Sequence, residues 1–268
     1  MRKSIVYLFC FLLIQFVVSW LVWIIWMITE GQTFSEIWTL FANGRLAPSA
    51  LMIIVASGAF SFVTVLIFAL TKWAPLSSRY LKTYPWAVFF WCVILSLGTI
   101  IPSIWLQEQM PELPNWLQTT FDGLMSAPIG YLFVGIFAPL AEEVVFRGAI
   151  LRSLLENFRH PWIAIVISAL LFGLAHGNPA QMPHAFLIGL LLGWTYYRTG
   201  SILPGVILHW TNNTVAYVLY NLYPVVGQMK LVDIFKGSEL HVYLSLAFSM
   251  FLLLPAIVQL HLLMKKAR

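Results

Sequence analysis

Charged residues are scarce in this sequence of 268 residues. Asp, Glu, Lys and Arg together make up 9% of it, whereas hydrophobic residues make up 60%. An average soluble domain contains about 25% charged residues. A chain with so little charge cannot cover a water-exposed surface, so the composition excludes an ordinary soluble domain and predicts a protein whose main solvent is lipid.

The sequence also lacks the features of a disulfide-rich, repetitive or multidomain protein. Its two cysteines, Cys10 and Cys92, lie within long apolar runs, where they are typical small buried residues rather than disulfide partners or metal ligands. No repeat, low-complexity tract or long linker separates the chain into soluble domains. The net charge of +5 is spread over short loops, so it does not indicate nucleic-acid binding.

Long apolar runs between charged positions indicate membrane-spanning helices. About 20 apolar residues cross a bilayer, and the run 160–197 accommodates two helices around a Gly-Asn-Pro break at 177–179. The first run exceeds a signal-peptide core and no cleavage site follows it, so we expect a retained first helix. We predict an all-α, polytopic membrane helix bundle of about eight transmembrane helices, from the runs 4–29, 46–71, 83–107, 123–141, 160–197, 199–229 and 240–264.

Basic residues are distributed asymmetrically among the predicted loops. Short cytoplasmic loops are enriched in Lys and Arg. With the N-terminus inside, only Arg45, Lys230 and Lys236 lie outside, so we predict that both termini are cytosolic. The inside basic set is Arg2, Lys3, Lys72, Arg79, Lys82, Arg147, Arg152, Arg159, Arg198, Lys265, Lys266 and Arg268. The acidic residues that fall outside are Glu30, Glu36, Glu108, Glu112, Asp122, Asp233 and Glu239.

A pair of adjacent carboxylates, Glu142 and Glu143, stands at the end of the fourth apolar run. Charged side chains at the centre of a membrane cost about 2.5–3.5 kcal/mol on insertion scales. Glu143 and Arg147 are four residues apart and can pair on one helix face, which leaves Glu142 without an obvious local cation. The alternative is that the helix leaves the membrane here and these are ordinary interface charges.

Histidines interrupt two later apolar runs. His176 lies four residues after Phe172, just before the Gly-Asn-Pro break. His209 and Asn213 share one helix face, whereas Asn212 points elsewhere. Each could be a hydrogen-bonded packing residue. We interpret other polar residues in the loops or near helix ends as structural, namely Asn178, Gln181, His184, His160, His241 and His261.

The spacing of these residues favours convergence at one depth. If two helices turn near Arg159, Glu142 and His176 are each 17 residues from the turn, or about 25 Å along an α-helix. His209 is about ten residues, or about 15 Å, past its own turn, a mismatch that a deeper turn or a tilt could absorb.

Glu, His and Asn converging inside a membrane fit the requirements of amide hydrolysis. A poorly solvated carboxylate is a stronger base, because desolvation disfavours its charged form. A histidine beside it can orient a water molecule. A His–Asn pair on one helix face can donate hydrogen bonds to a developing oxyanion.

These residues resemble the motifs of the CAAX protease and bacteriocin-processing family of intramembrane proteases, which includes the type II CAAX prenyl endopeptidase. The family motifs Glu-Glu-x-x-x-Arg, Phe-x-x-x-His and His-x-x-x-Asn occur in order at 142–147, 172–176 and 209–213. The resemblance covers about 128–216. It implies a catalytic core of four helices at 123–222, with three further helices and an outer loop at 1–122 and an outer loop and last helix at 223–268.

The resemblance also implies the roles of individual residues. Glu142 would activate water, His176 would assist it, and His209 and Asn213 would stabilise the oxyanion. Supporting roles fall to three residues: Glu143 would hold Arg147 and shape the site, and Phe172 belongs to the second motif.

Three other functions remain open alongside an intramembrane endopeptidase. A non-proteolytic scaffold or immunity-type protein would keep the fold without needing Glu142. A transporter would relay protons or ions through Glu142 and His176, although no matching halves are apparent. A zinc-dependent protease would bind the metal through Glu142, His176 and His209, although the His-Glu-x-x-His signature is absent.

We predict no cofactor and a multi-pass integral membrane location, in the cell membrane if the chain is bacterial. The expected partners are the lipid bilayer and a peptide or membrane-protein substrate, and no nucleic acid. Fold analogy does not identify a substrate, so the resemblance does not establish that the substrate is prenylated.

Overall fold

A computed structural model describes residues 1–77, 81–223 and 229–264. All regular elements in these ranges are helical, which confirms the predicted all-α class. They are α1 (Arg2–Thr29), α2 (Phe34–Ala42), α3 (Ala50–Leu70), α4 (Ala87–Glu108), α5 (Gln118–Ser126), α6 (Ala138–Glu143), α7 (Arg152–Asn157), α8 (Pro161–Ala175), α9 (Met182–Thr199), α10 (Leu203–Leu222), α11 (Leu231–Ile234) and α12 (Glu239–Leu263), with π-helical segments at Leu132–Phe137 and Val144–Leu151.

Four of the described helices, α1, α3, α4 and α12, are long and apolar enough to cross a membrane by length and composition. Helix α8 is a shorter apolar helix. Large aromatic side chains such as Phe62, Phe248 and Phe251 are exposed on these surfaces, as expected where lipid replaces water. The protein is therefore an integral membrane protein. The number of eight spans and the cytosolic termini stay predictions.

Residues beyond the described ranges carry some of the sequence predictions. Arg79, Lys265, Lys266 and Arg268, which we assigned to the inside, lie there, as do positions 224–228 of the run 199–229. Arg147 was also counted among the inside loop charges, and this was wrong. Its side chain is completely buried within the bundle and forms an ion pair with Glu143.

The helix that carries the paired carboxylates differs from the prediction. We expected an apolar span at 123–141 that ended at Glu142. Instead, π and α segments follow one another without a break from Leu132 to Asn157. The charges do not end the helix, because the buried Arg147 compensates Glu143 four residues earlier. Glu142 and Glu143 consequently lie inside a continuous helix and not at its end.

Local sequence explains where most helices start and stop. Thr33 and Glu36 form a reciprocal capping box at the start of α2, which satisfies two backbone N–H groups that the helix leaves unpaired. Proline occupies the first turn of α8, α9 and α10, where its missing N–H costs no helical hydrogen bond. Helix α9 ends at Gly200, whose φ of 69° is left-handed and is best tolerated by glycine.

Short connections make successive long helices antiparallel and give the bundle two chemically different ends. We call one the basic end, which carries Arg2, Lys3, Lys72, Lys82, Arg152, Arg159 and Arg198 together with Glu156. We call the other the acidic end, which carries Glu30, Glu36, Glu108, Glu112, Asp122, Asp233 and Glu239 together with Arg45, Lys230 and Lys236. Arg198 donates to the carbonyls of His261 and Met264 and thereby ties α9 to α12 at the basic end.

Gly98 allows α4 and α12 to pack closely. A Cβ at this position would lie 2.8 Å from the backbone nitrogen of Leu253, which cannot move aside easily. We expect Gly98→Ala to destabilise the protein by about 1–3 kcal/mol through overpacking, measured as a lower Tm in detergent. Gly123→Ala is the matched control, because its Cβ would meet its nearest neighbour at 3.4 Å. Equal Tm values for the two variants would contradict this close packing.

Candidate active site

The ion pair between Glu143 and Arg147 lies at the centre of the site. Both side chains are 0% exposed, and Arg147 Nη1 donates to Glu143 Oε1 at 2.9 Å. Arg147 Nη2 also donates to the carbonyl of Gly189 in α9, and its guanidinium lies 4.5 Å from the ring centroid of Phe172 in α8. The predicted pair is present. It connects three helices and neutralises one of the two carboxylates.

Glu142 occupies a different environment from its neighbour. Its side chain is 20% exposed and lines a cavity inside the bundle. Oε2 of Glu142 lies 3.7 Å from Nε2 of His209, which is longer than a direct hydrogen bond. Of the two adjacent carboxylates, Glu142 is therefore the one that a substrate or a water molecule can reach.

His209 lies between the two carboxylates. Its Nδ1 is 3.3 Å from Glu143 Oε1, and because a carboxylate only accepts hydrogen bonds, Nδ1–H is the donor. The interaction turns Nε2 towards Glu142. The mismatch in depth expected from the sequence is absent. One reason is that the helix of Glu142 contains π turns at 144–151, whose longer i→i+5 hydrogen-bonded rings invalidate a straight α-helical count.

Phe172 positions both histidines. Its ring contacts the ring of His176 edge-on at 4.9 Å and that of His209 at 5.6 Å between centroids. His176 Nδ1 donates to the carbonyl of Phe172 at 2.9 Å. This hydrogen bond assigns the tautomer, because the acceptor is a carbonyl, and leaves Nε2 of a neutral His176 able to accept a hydrogen bond.

Asn213 is the last residue in a series of polar contacts between side chains on α10, α9 and α4. Its Nδ2 donates to the carbonyl of Val134 at 2.9 Å, and its Oδ1 accepts from Asn212 Nδ2 at 3.3 Å. Oδ1 of Asn212 in turn accepts from His184 Nε2 at 3.2 Å. His184 Nδ1 lies 3.1 Å from Ser103 Oγ, whose hydroxyl donates to the carbonyl of Ile100. This series of contacts fixes which end of the Asn213 amide faces each neighbour, and leaves one N–H of Nδ2 for another acceptor.

His184 and Asn212 were interpreted incorrectly from the sequence. We placed His184 in a loop as a structural residue and expected Asn212 to point away, yet both line the cavity with Asn213. His184 lies in the first turn of α9, shortly after the Gly-Asn-Pro break at 177–179. This first turn of α9 lies beside the middle of α10, where Asn212 is located. Asn178 is structural as expected, because its buried side chain bonds Asn115 and the backbone N–H of Trp116.

The cavity has a volume of about 660 Å³, which is the size of a small-molecule or peptide pocket. It brings together the four predicted catalytic residues, Glu142, His176, His209 and Asn213. Their catalytic roles stay predictions. The cavity is also lined by neutral hydrogen-bonding side chains from α1, α3, α4 and α5, which the sequence did not identify: Gln15, Ser19, Ser57, Ser61, Gln107 and Thr120.

Gly205 is a second residue that the motifs did not identify. A Cβ at this position would lie 2.6 Å from Oε2 of Glu143. The absence of a side chain therefore gives the carboxylate room to reach both Arg147 and His209.

The residues considered for zinc do not form a compact set of ligands. Across 1–77, 81–223 and 229–264, no group of three His, Cys, Asp or Glu side chains is spaced to hold a metal ion. The described geometry therefore supplies no metal centre to reason from, and we derive no step through a metal.

The fold and site together define an integral membrane protein with a cavity inside the bundle that is lined by carboxylate, histidine and amide side chains. Residues 125–215 match the family described as type II CAAX prenyl endopeptidase Rce1-like. This segment contains all three motifs and confirms the family resemblance, and because this is a protease family it supports a peptidase. Comparison of the chain with curated proteins and with solved structures gives no match.

Proposed function

We propose that this protein is an intramembrane endopeptidase that hydrolyses a peptide bond with water activated by Glu142. The observation that carries the proposal is the asymmetry of the carboxylate pair. Glu143 is buried and paired with Arg147, whereas Glu142 faces the cavity. A general base must reach the proton that it abstracts, and Glu142 is the carboxylate that meets this requirement.

The proposed reaction begins with a water molecule between Glu142 and His176. Glu142 takes one proton as the water oxygen attacks the peptide carbonyl carbon, while Nε2 of His176 accepts a hydrogen bond from the same water. The carbonyl oxygen becomes an oxyanion. When the C–N bond breaks, the proton held by Glu142 passes to the leaving nitrogen. The second proton of the water stays on the new carboxyl group, and the carboxylic acid and amine then exchange it to give a carboxylate and an ammonium group.

His209 and Asn213 are proposed to stabilise the oxyanion. Asn213 has one N–H of its amide free of the contact with Val134. His209 faces the cavity with Nε2 while Nδ1–H bonds Glu143, so it donates to the oxyanion as an imidazolium, with a proton on both ring nitrogens. Donors that are already oriented cost no reorganisation when charge develops, and deleting one such donor typically costs about 10²–10³-fold in kcat.

The chain of contacts behind Asn213 supplies positioning residues. We expect Asn212→Asp to lower kcat by less than the about 10²–10³-fold typical of losing a donor itself, with little change in KM. Aspartate still accepts from His184 but cannot donate to Asn213. Asn212→Gln, which keeps both functions, should restore part of the activity. Steady-state kinetics would contradict the assignment if kcat of Asn212→Asp equalled that of the wild type.

The substrate can be found by comparing new peptide termini in cells that express the wild type or Glu142→Ala at matched abundance. Mass spectrometry should detect termini that occur only with the wild type, and these would identify a substrate. Identical termini in both samples, with both proteins folded, would contradict proteolysis and favour the non-proteolytic scaffold.

A further inference from the structure

The cavity occupies one half of the bundle, the half nearest the acidic end. Helix α8 contributes only its last turn and cap, at 172–176, and the start of α9 contributes 180–188. Helix α3 contributes 53–61 from its first half, and α4 contributes Gln107, one residue before its end. Because these helices alternate in direction, all four contributions lie towards the same end.

The half nearest the basic end is filled. Five apolar side chains on the basic-end side of the cavity are fully buried, each 0% exposed: Val145, Ile150, Leu151, Ile165 and Leu192. Close-packed cores leave few voids larger than a water molecule. A polypeptide segment could not reach Glu142 through this half without unpacking the core.

We call the part of the cavity nearest the acidic end its mouth. The segment between α4 and the helix of Glu142 lines the cavity there through Leu117, Thr120 and Phe121. This segment is tied to the turn between α8 and α9, because the Asn178 side chain accepts from the backbone N–H of Trp116 at 3.1 Å and donates to Asn115 Oδ1 at 2.7 Å. The segment also carries Glu108, Glu112 and Asp122, so the mouth belongs to the acidic end.

The charges indicate which side of the membrane this end faces. Among the described residues, the basic end carries seven Lys or Arg and one Glu, and the acidic end carries three Lys or Arg and seven Asp or Glu. Basic residues in short loops are retained on the cytoplasmic side. The acidic end therefore faces away from the cytoplasm.

We infer that the cavity takes its substrate from the extracytoplasmic side of the membrane. The substrate class is an extended peptide segment exposed on that side, and not the tail of a cytosolic protein. The neutral amide and hydroxyl groups of Gln15, Ser57, Gln107 and Thr120 match the backbone N–H and C=O groups that an extended segment leaves unpaired. The identity of the substrate as a peptide rests on the proposed function, whereas the direction of access does not.

Cysteine labelling tests the direction of access without any assumption about catalysis. In a background with Cys10→Ala and Cys92→Ala, Thr120→Cys reports on the mouth and Arg159→Cys on the basic end. A membrane-impermeant maleimide should label position 120 in intact cells and position 159 only after permeabilisation. Labelling of permeabilised cells gives the total amount of reactive cysteine at each position. Labelling of position 159 but not of position 120 in intact cells would overturn the inference.

Cleavage in sealed vesicles separates this inference from the proposed function. A membrane-impermeant, internally quenched peptide library is added outside right-side-out and inside-out vesicles, with Glu142→Gln vesicles as the control. Cleavage that depends on Glu142 and occurs only in right-side-out vesicles supports the inference. Such cleavage only in inside-out vesicles overturns the direction but keeps the protease. No such cleavage in either overturns the proposed function, and the labelling result then still decides the direction.

Discussion

Glu142→Gln is expected to slow peptide hydrolysis by about 10²–10⁴-fold, the usual contribution of a positioned general base. Glutamine has nearly the same shape as glutamate but cannot accept a proton from water at neutral pH. The Glu142 side chain is partly exposed to the cavity, and its Oε2 lies 3.7 Å from Nε2 of His209. Because this contact is long, we expect Tm to change little. Kinetics on the purified protein in lipid nanodiscs give the rate ratio.

Glu112→Gln is the matched control for this prediction. It makes the same chemical change at an exposed position in the loop after α4, away from the carboxylate pair. Its rate should equal that of the wild type. A rate for Glu142→Gln within a few-fold of the control would remove Glu142 from the role of base.

Arg147→Met is expected to destabilise the fold by about 3–5 kcal/mol, because it leaves the carboxylate of Glu143 buried without its cation. The Arg147 side chain is 0% exposed and contacts Glu143, Gly189 and Phe172. Methionine fills part of the volume but replaces none of the charge. The protein should accumulate poorly in membranes and show a lower Tm in detergent.

The double variant Glu143→Leu with Arg147→Met separates lost charge pairing from lost packing. Replacing both members of a buried ion pair by apolar residues is often neutral or stabilising, so the double variant should be more stable than Arg147→Met alone. Its activity should stay low, since His209 loses the carboxylate that orients its Nδ1. A double variant less stable than the single one would contradict this account of the pair.

The helical class and the ion pair could be predicted because they depend on local pattern. Apolar runs separated by charges locate the helices, and a spacing of four residues places Glu143 beside Arg147. The end predicted for the fourth run at Ala141 was wrong for a tertiary reason. A charge inside an apolar run indicates a helix end only if no partner compensates it, and here Arg147, the carbonyl of Gly189 and Phe172 surround the pair.

Contacts between helices distant in sequence could not be predicted. His184 and Ser103 are 81 positions apart, and His184 and Asn212 are 28 apart, and no spacing rule relates such pairs. The same applies to Gly205, whose importance depends on Glu143 approaching from another helix. The π turns at 144–151 also altered the depth of the residues, since an α-helical count from Arg159 does not include them.

Hydrolysis by the purified protein in water enriched in ¹⁸O tests the central claim most directly. The wild type, alone in lipid nanodiscs with the peptide library, should give products whose new carboxyl termini carry one ¹⁸O atom, and Glu142→Gln should give almost none. A wild type that forms no labelled product, or a Glu142→Gln variant that forms as much, would contradict an intramembrane protease that works through water activated by Glu142.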